Sequence, residues 1–297
     1  MNAKQQGFLL LTSHLGDPAC KPLTVAQFRT LANRVRGVER PTETRELTRK
    51  DLLDLGYDGA FAENILFLLS RQEQLEYYVN RAAKAGCYPI TRICNQYPRR
   101  LRNRLGLDSP GCLWLKGDPR LLSCAAISVV GSRELRQQNR QFATEAGLQA
   151  AKQGFVLVSG NAKGADRVAQ DACLQQEGKV VSVIADKLLD QPADPNILYI
   201  SEDGFDLEFS PQRAISRNHI IHALGELVLV AQCSLEKGGT WNGTVYNLRH
   251  GLSPVFCFHD GSQSIDALQQ MGADVILPND LQNISTLKPK NRSLFDM

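Results

Sequence analysis

Short apolar runs alternate with amphipathic stretches along the second half of the chain, from Ala125 onward. The run Ile127-Ser128-Val129-Val130 reads as a strand, and apolar periodicity then predicts a helix near 138–152, a strand over 155–159, a helix over 165–176 and a strand over 179–185. Beyond a proline-containing loop, the same reading gives strands over 197–201, 226–231, 254–258 and 274–277, with helices over 212–224, 244–250 and 264–271 between them. Nearly continuous runs of Val, Ile and Leu suit strands buried on both faces. Their alternation with helices predicts an α/β fold, a doubly wound and mostly parallel sheet covered by helices on both sides.

Residues 1–86 follow a helical period instead. Thr24 can cap "VAQFRTLANRV", whose Val25, Phe28, Leu31 and Ala32 fall on one face, and Thr48 can cap "RKDLLDLG", which ends at Gly56. "AFAENILFLLSRQEQLEYYVNRAAKAG" adds one or two more helices and stops at Gly86. Residues 87–123 carry four prolines and short β-like pieces, the pattern of a connector packed on the next domain. Residues 281–297 read as a polar, loosely held tail.

The length of 297 residues and the 43% hydrophobic content allow two domains with real cores. No apolar run approaches the ~20 residues of a membrane span, and Phe8-Leu9-Leu10-Leu11 is too short for a signal-peptide core, so a cytoplasmic protein is expected. The eight cysteines include no C-x-x-C pair and no partner histidine at zinc-finger spacing, so reduced structural thiols are expected and a metal site is not. Charge changes the picture more. Residues 1–140 carry 22 Lys and Arg against 13 Asp and Glu, whereas residues 141–297 carry 12 against 18. A basic half facing a polyanion and a basic half that is merely solvated both fit this asymmetry.

Four segments at the expected carboxyl ends of strands carry the candidate chemistry. Gly131-Ser132-Arg133 follows the first strand and precedes a helix, where backbone N–H groups and the helix dipole can receive an anion. It has neither the three glycines of a dinucleotide fingerprint nor the Gly-Lys-Ser/Thr ending of a Walker A loop. "SGNAKGAD", residues 159–166, adds Lys163; "FSPQRAISRNHII", residues 209–221, adds Arg213 and Arg217; "CSLEKGGTWNGT", residues 233–244, adds Lys237 and three glycines. Arg217 leads Ile220, Ile221 and Leu224 along one helical face, so it is expected to point toward the sheet. Open α/β sheets bind ligands at this edge, and the segments bring Arg133, Lys163, Arg213, Arg217 and Lys237 to one rim, countered by Glu134, Asp166 and Glu236.

In order and spacing, "ISVVGSR", "GFVLVSGNAKGAD", "FSPQRAISRNHII" and "EKGGTWNGT" resemble the conserved blocks of the DNA-processing protein A family, DprA, also called Smf. "YPRRLRNRLGLDSPGCLWLKGDPRLL" is similar to that family's lead-in, so the resemblance covers roughly residues 8–280. It implies a Rossmann-like DNA-binding domain over 124–280, preceded by the connector over 87–123 and a sterile-alpha-motif-like helical domain over 1–86, in a variant without the C-terminal winged-helix-like domain of many members. It further implies binding of single-stranded DNA, protection of strands in natural transformation, help in loading a RecA-type recombinase, and a homodimer, with no catalysis, cofactor, metal or membrane. Residue by residue, Gly131, Ser132 and Arg133 match the family's phosphate turn; Ser159, Gly160, Lys163, Gly164 and Asp166 match its Ser-Gly block. Arg217 and Asn218 match its Arg-Asn pair, and Gly238, Gly239 and Thr240 its last glycine-containing loop, which Lys237 adjoins. Departures are Lys163 where arginine is common, Gln170 for histidine, Ala165 for isoleucine, and "KGGTWNG" for a serine-rich loop.

Two rival readings use the same rim. A phosphoribohydrolase of the same superfamily would need a glutamate where Tyr246 and Asn247 stand, and a nucleotide-sensing module would hold one small phosphorylated ligand. Trp241 either stacks a base or packs on the sheet edge. The cluster Arg99, Arg100, Arg102 and Arg104 is either a solvated helix face or an extension of a DNA path, and His219, His222 and His250 belong to no nucleophile triad.

Overall fold

The computed structural model describes residues 1–37 and 46–290. The N-terminal part holds α1 (Ala3–Thr12), α2 (Val25–Arg36), α3 (Arg49–Asp54), α4 (Gly59–Leu69) and α5 (Gln72–Lys84). Thr24 and Thr48 cap α2 and α3 in capping boxes closed by Gln27 and Asp51, as the spacing predicts. Leu11, Leu23, Leu31, Leu52, Ile65 and Leu68 form a cluster of their own among these helices. The buried Arg71 guanidinium donates to the carbonyls of Leu10, Ser13 and His14, satisfying acceptors that the end of α1 leaves open.

The remainder runs β1 (Tyr88–Thr91), α6 (Arg99–Leu105), β2 (Cys112–Lys116), β3 (Ala126–Val130), α7 (Gln137–Lys152), β4 (Val156–Ser159), α8 (Ala165–Gln175) and β5 (Val180–Val183). It continues through β6 (Ile197–Glu202), α9 (Pro211–Leu224), β7 (Val228–Val230), α10 (Gly238–His250), β8 (Val255–Phe258), α11 (Gln263–Gln270) and β9 (Asp274–Ile276). One sheet has the order β1-β2-β6-β5-β4-β3-β7-β8-β9. Its ladders are parallel from β6 to β9, and the segment over 87–123 supplies β1 and β2 as two antiparallel strands beyond β6.

Strand alternation sorts the core into two layers. Ile127 and Val129 of β3 face the layer holding Phe142 of α7 and Ala169 of α8, while Ala126 and Val130 face the layer of Ile220, Trp241 and Ile265. The first layer also takes Leu9 of α1 and Tyr78 of α5. Tyr78 stands edge-on to Trp114 with ring centroids 5.1 Å apart, and its hydroxyl donates to Asp206 Oδ1 at 2.5 Å. Helical part and sheet therefore share a core.

The chain winds from β3 through β4 and β5 to β6 on one side, then crosses back to β7, β8 and β9 on the other. The topological switch point lies between β3 and β7, and its carboxyl edge is where a ligand crevice is expected.

Two elements differ from expectation. The last helix before β8 starts at Gly238, six residues earlier than its apolar period suggests, so the glycine-rich stretch is its first turns. Lys237 enters in an extended conformation, Gly238 turns the chain at φ +85°, and Trp241 and Val245 then give α10 a buried face. A 3-10 segment, Pro278–Thr286, runs into the expected loose tail and buries Leu281 and Ile284 in the same core layer as Phe142 of α7. Residues 291–297 of that tail lie outside the described residues. Among the described residues no helix is long and apolar enough to cross a membrane, and no cluster of potential metal ligands occurs.

Candidate nucleic-acid interface

At the switch point a cavity of about 920 Å³ opens between the end of β3, the start of α9 and the start of α10. Its centre is the turn Gly131-Ser132-Arg133, held by Gln232 after β7. The Ser132 N–H donates to the Gln232 carbonyl at 2.9 Å, the Arg136 N–H to its Oε1 at 3.0 Å, and its own Nε2 donates to the Glu134 carbonyl at 3.0 Å. The glycines are demanded by close approach. A Cβ on Gly131 would lie 2.5 Å from the Ala165 Cβ, and one on Gly164, where φ is +93°, would lie 2.3 Å from the Ser132 carbonyl oxygen.

Three helices, α7, α8 and α10, begin at this cavity, and none has a side-chain cap. By contrast, α9 is capped by Ser210, which accepts from the Arg213 N–H. At α8 the Ala165 and Arg167 amides already donate to the Ser132 and Ala162 carbonyls, but the starts of α7 and α10, added to the helix dipole, make this edge receptive to anions.

Charge is layered. Arg133 and Lys237 line the cavity and are exposed, and their side chains have no hydrogen-bond or ion-pair partner among the described residues. Arg136, also on the cavity wall, pairs with the buried Asp260, which takes a second bond from Asn139. Beneath them Arg217 and Asp166 are both buried. Arg217 Nη1 donates to the carbonyls of Gly160 and Val183, so part of its donor capacity is spent inside the fold. Burial pushes the Asp166 carboxyl up against the pull of the Arg217 charge, and pushes the Arg217 guanidinium down against the pull of Asp166. A guanidinium stays charged under such a shift, so Arg217 keeps its positive charge inside the fold.

The residues expected at the rim divide accordingly. Gly131, Ser132, Arg133, Asp166, Arg217 and Asn218 line the cavity, as do Lys237, Gly238, Gly239 and Thr240 at the start of α10. Ser159, Gly160, Lys163, Gly164 and Arg213 do not. Ser159 donates from Oγ to the Val129 carbonyl, and Lys163 is exposed beside Gly164, next to the turn. Arg213 is turned to backbone carbonyls of Ala185, Leu207 and Glu208 and to Ser201 Oγ.

Trp241 is 6% exposed and packs in the sheet's core layer, which leaves it no face for a base. Three of the four clustered arginines brace the fold: Arg104 donates to the Ala223 and Gly225 carbonyls at the end of α9, Arg102 to those of Arg92 and Cys94, and Arg100 pairs with Glu226. His219 and His250 stack on Tyr246, with centroid separations of 3.8 and 4.0 Å. At the hydrolase position, Asn247 is buried and accepts the Ser253 N–H.

Arg136, Gln232, Phe209 and Ile215 also line the cavity and were not singled out from sequence; His222, set aside there as no part of a triad, lines it too. Phe209 and Ile215, 50% and 42% exposed at its mouth, carried a signal that polar motifs obscured: apolar residues flanking a basic helix start.

Fold and cavity define a switch-point crevice on a doubly wound sheet. A family model described as DNA recombination-mediator protein A matches residues 89–285, and the chain belongs to that family. The DNA processing protein DprA of Streptococcus pneumoniae is 33% identical over 141 residues, 44% of this chain and 50% of that protein. Its Bacillus subtilis counterpart is 32% identical over 167 residues, 52% of this chain and 55% of that protein. The chain spans about half the length of these relatives. The X-ray structure of the S. pneumoniae protein superposes with a TM-score of 0.70 at 24% identity, covering 97% of this chain and 99% of that one. DNA processing protein A from Helicobacter pylori does so with 0.56 at 22% identity, covering 66% and 94%. These two superpositions establish a shared fold.

Proposed function

We propose that this chain binds single-stranded DNA through its backbone phosphates, across the switch-point cavity and largely without sequence preference. The observation that carries the reading is the pairing of unpartnered cations, Arg133 and Lys237, with three uncapped helix starts around one open cavity. Separate phosphate sites along a rim suit a polymer with charges spaced along it. Phe209 at the mouth supplies an aromatic face for base stacking, the second component of sequence-tolerant strand binding. The H. pylori relative, whose structure concerns a single-stranded DNA binding mode, supports the same reading.

The chain acts by binding rather than turnover, since Asn247 stands where a hydrolase of this superfamily would place a carboxylate. It works in the cytoplasm, as a homodimer, in recombination or DNA uptake, and hands its strand to a RecA-type recombinase; membership of the recombination-mediator family supports these roles. Fluorescence anisotropy with single- and double-stranded oligonucleotides across a salt series tests the central claim. Preference for single strands, with a log–log salt slope near −0.7 per phosphate contacted, is expected; equal or absent binding of single strands at moderate salt would overturn it.

A further inference from the structure

The inner wall of the cavity holds a donor that binding along the rim leaves unused. His222, one helical turn after Asn218, lines the cavity yet is only 1% exposed. Its Nδ1 lies 3.1 Å from Asn247 Nδ2. The Asn247 amide is oriented by its neighbour, because its Oδ1 accepts the Ser253 N–H at 2.9 Å. Nδ2 therefore donates and Nδ1 accepts, which leaves the proton of a neutral imidazole on Nε2. Burial pushes the His222 pKa down to about 3, so the ring stays neutral at physiological pH. That Nε2 has no partner, and neither does Nε of Arg217, which is 8% exposed and lines the same cavity. Gly243 makes room for the imidazole, since a Cβ there would lie 3.2 Å from Nε2. The uncapped start of α10 adds the amides of Gly238, Gly239 and Thr240 to the same wall.

We propose that the wall formed by His222, Arg217 and the first turn of α10 is a site for a phosphomonoester, supplied by the terminal phosphate of a DNA strand or by a free nucleotide. Two arguments separate this from the internal phosphates of a strand. A phosphodiester has chain on both sides, so reaching a donor this deeply buried would require both flanking nucleotides to enter the cavity. A terminal phosphate enters with one side free. It also carries three acceptor oxygens and about −1.5 to −2 charges at neutral pH, which matches a wall carrying unpartnered N–H groups beside Lys237 and Arg133. The strand-end form rests on the proposed strand binding; the nucleotide form does not.

The test compares one short oligonucleotide carrying a 5′-hydroxyl, a 5′-phosphate or a 3′-phosphate, together with a nucleoside 5′-monophosphate, by anisotropy and calorimetry. A preference of about tenfold, or ~1.4 kcal/mol, for one phosphorylated end supports the site. So does a narrowing of that preference as pH falls through ~6, where the phosphate takes its second proton. In His222→Phe, which keeps the ring volume and removes the donor, the ratio of phosphorylated to unphosphorylated affinity should fall toward one, and His222→Gln should restore part of it. The ratio in the wild type needs no variant to fold. Equal affinity for all strands, with no nucleotide binding, overturns the site and leaves strand binding intact. Nucleotide binding without strand binding upholds the site and overturns the strand reading. Failure of every ligand overturns both.

Discussion

Arg217 Nη1 lies 2.9 Å from the Val183 carbonyl oxygen, and the same nitrogen serves the Gly160 carbonyl, so one guanidinium ties α9 to the ends of two neighbouring strands. Its charge neighbour is the buried Asp166. A residue whose sequence position suggests phosphate contact is therefore first a brace. Arg217→Ala should destabilise the fold by about 3–5 kcal/mol, because it strands a buried carboxylate and two carbonyls. Urea denaturation measures this, and a loss below ~1 kcal/mol would refute the bracing role.

Arg133 and Lys237 should behave in the opposite way. Both side chains are exposed and unpartnered, so Arg133→Ala and Lys237→Ala should leave stability within about 0.5 kcal/mol of the wild type. Each should weaken single-strand binding and flatten the log–log salt slope by ~0.7, which an anisotropy titration at several salt concentrations reads directly. A normal slope with reduced affinity would mean that the side chain touches something other than phosphate.

The contrast explains how far the sequence could be read. Strand and helix alternation from Ile127 to Ile276 was legible because strands buried on both faces are written almost entirely in Val, Ile and Leu. The gathering of Gly131, Arg133 and Lys237 followed from topology, since every carboxyl end of a parallel sheet lies on one edge. What each cation does there was not legible. The helical face of Arg217 foretold its turn toward the sheet, but Arg133 and Arg213 look alike in sequence, and only packing reveals that Arg213 turns inward to carbonyls while Arg133 faces the cavity. The start of α10 was hidden for a different reason: Gly238 and Gly239 have poor intrinsic helix propensity, and burial of Trp241 overrides it.

Of the two roles the sequence left open for Trp241 the structure shows packing, and the aromatic side chain exposed at the cavity is Phe209. Trp241→Ala should cost ~3–5 kcal/mol of stability, the usual consequence of emptying a buried aromatic site. Phe209→Ala, at a half-exposed position, should leave stability nearly unchanged and reduce single-strand affinity by ~1–3 kcal/mol if a base stacks there. Thermal melts of both variants beside strand titrations separate the two. A Phe209→Ala protein with unaltered affinity would remove stacking from the proposed binding mode.

A pH dependence of stability should arise away from the cavity, at the end of β6. Glu202 is 7% exposed, its Oε1 has no partner, and burial raises its pKa to about 7, with Asp203 adding to the rise while the Ser216 hydroxyl and the Arg213 charge oppose it. In the unfolded chain the same carboxyl titrates near 4.5. Between those values the folded protein keeps a proton that the unfolded chain has released, so stability is fully present below the lower value and declines as pH rises through the upper one. The loss attributable to this group reaches at most ~3 kcal/mol above neutrality. Glu202→Gln removes the titration while keeping the side chain's shape. The variant and the wild type should therefore unfold at similar urea concentrations near pH ~4, with the variant gaining as pH rises toward ~8. A constant gap between them across that range would place the pH dependence elsewhere.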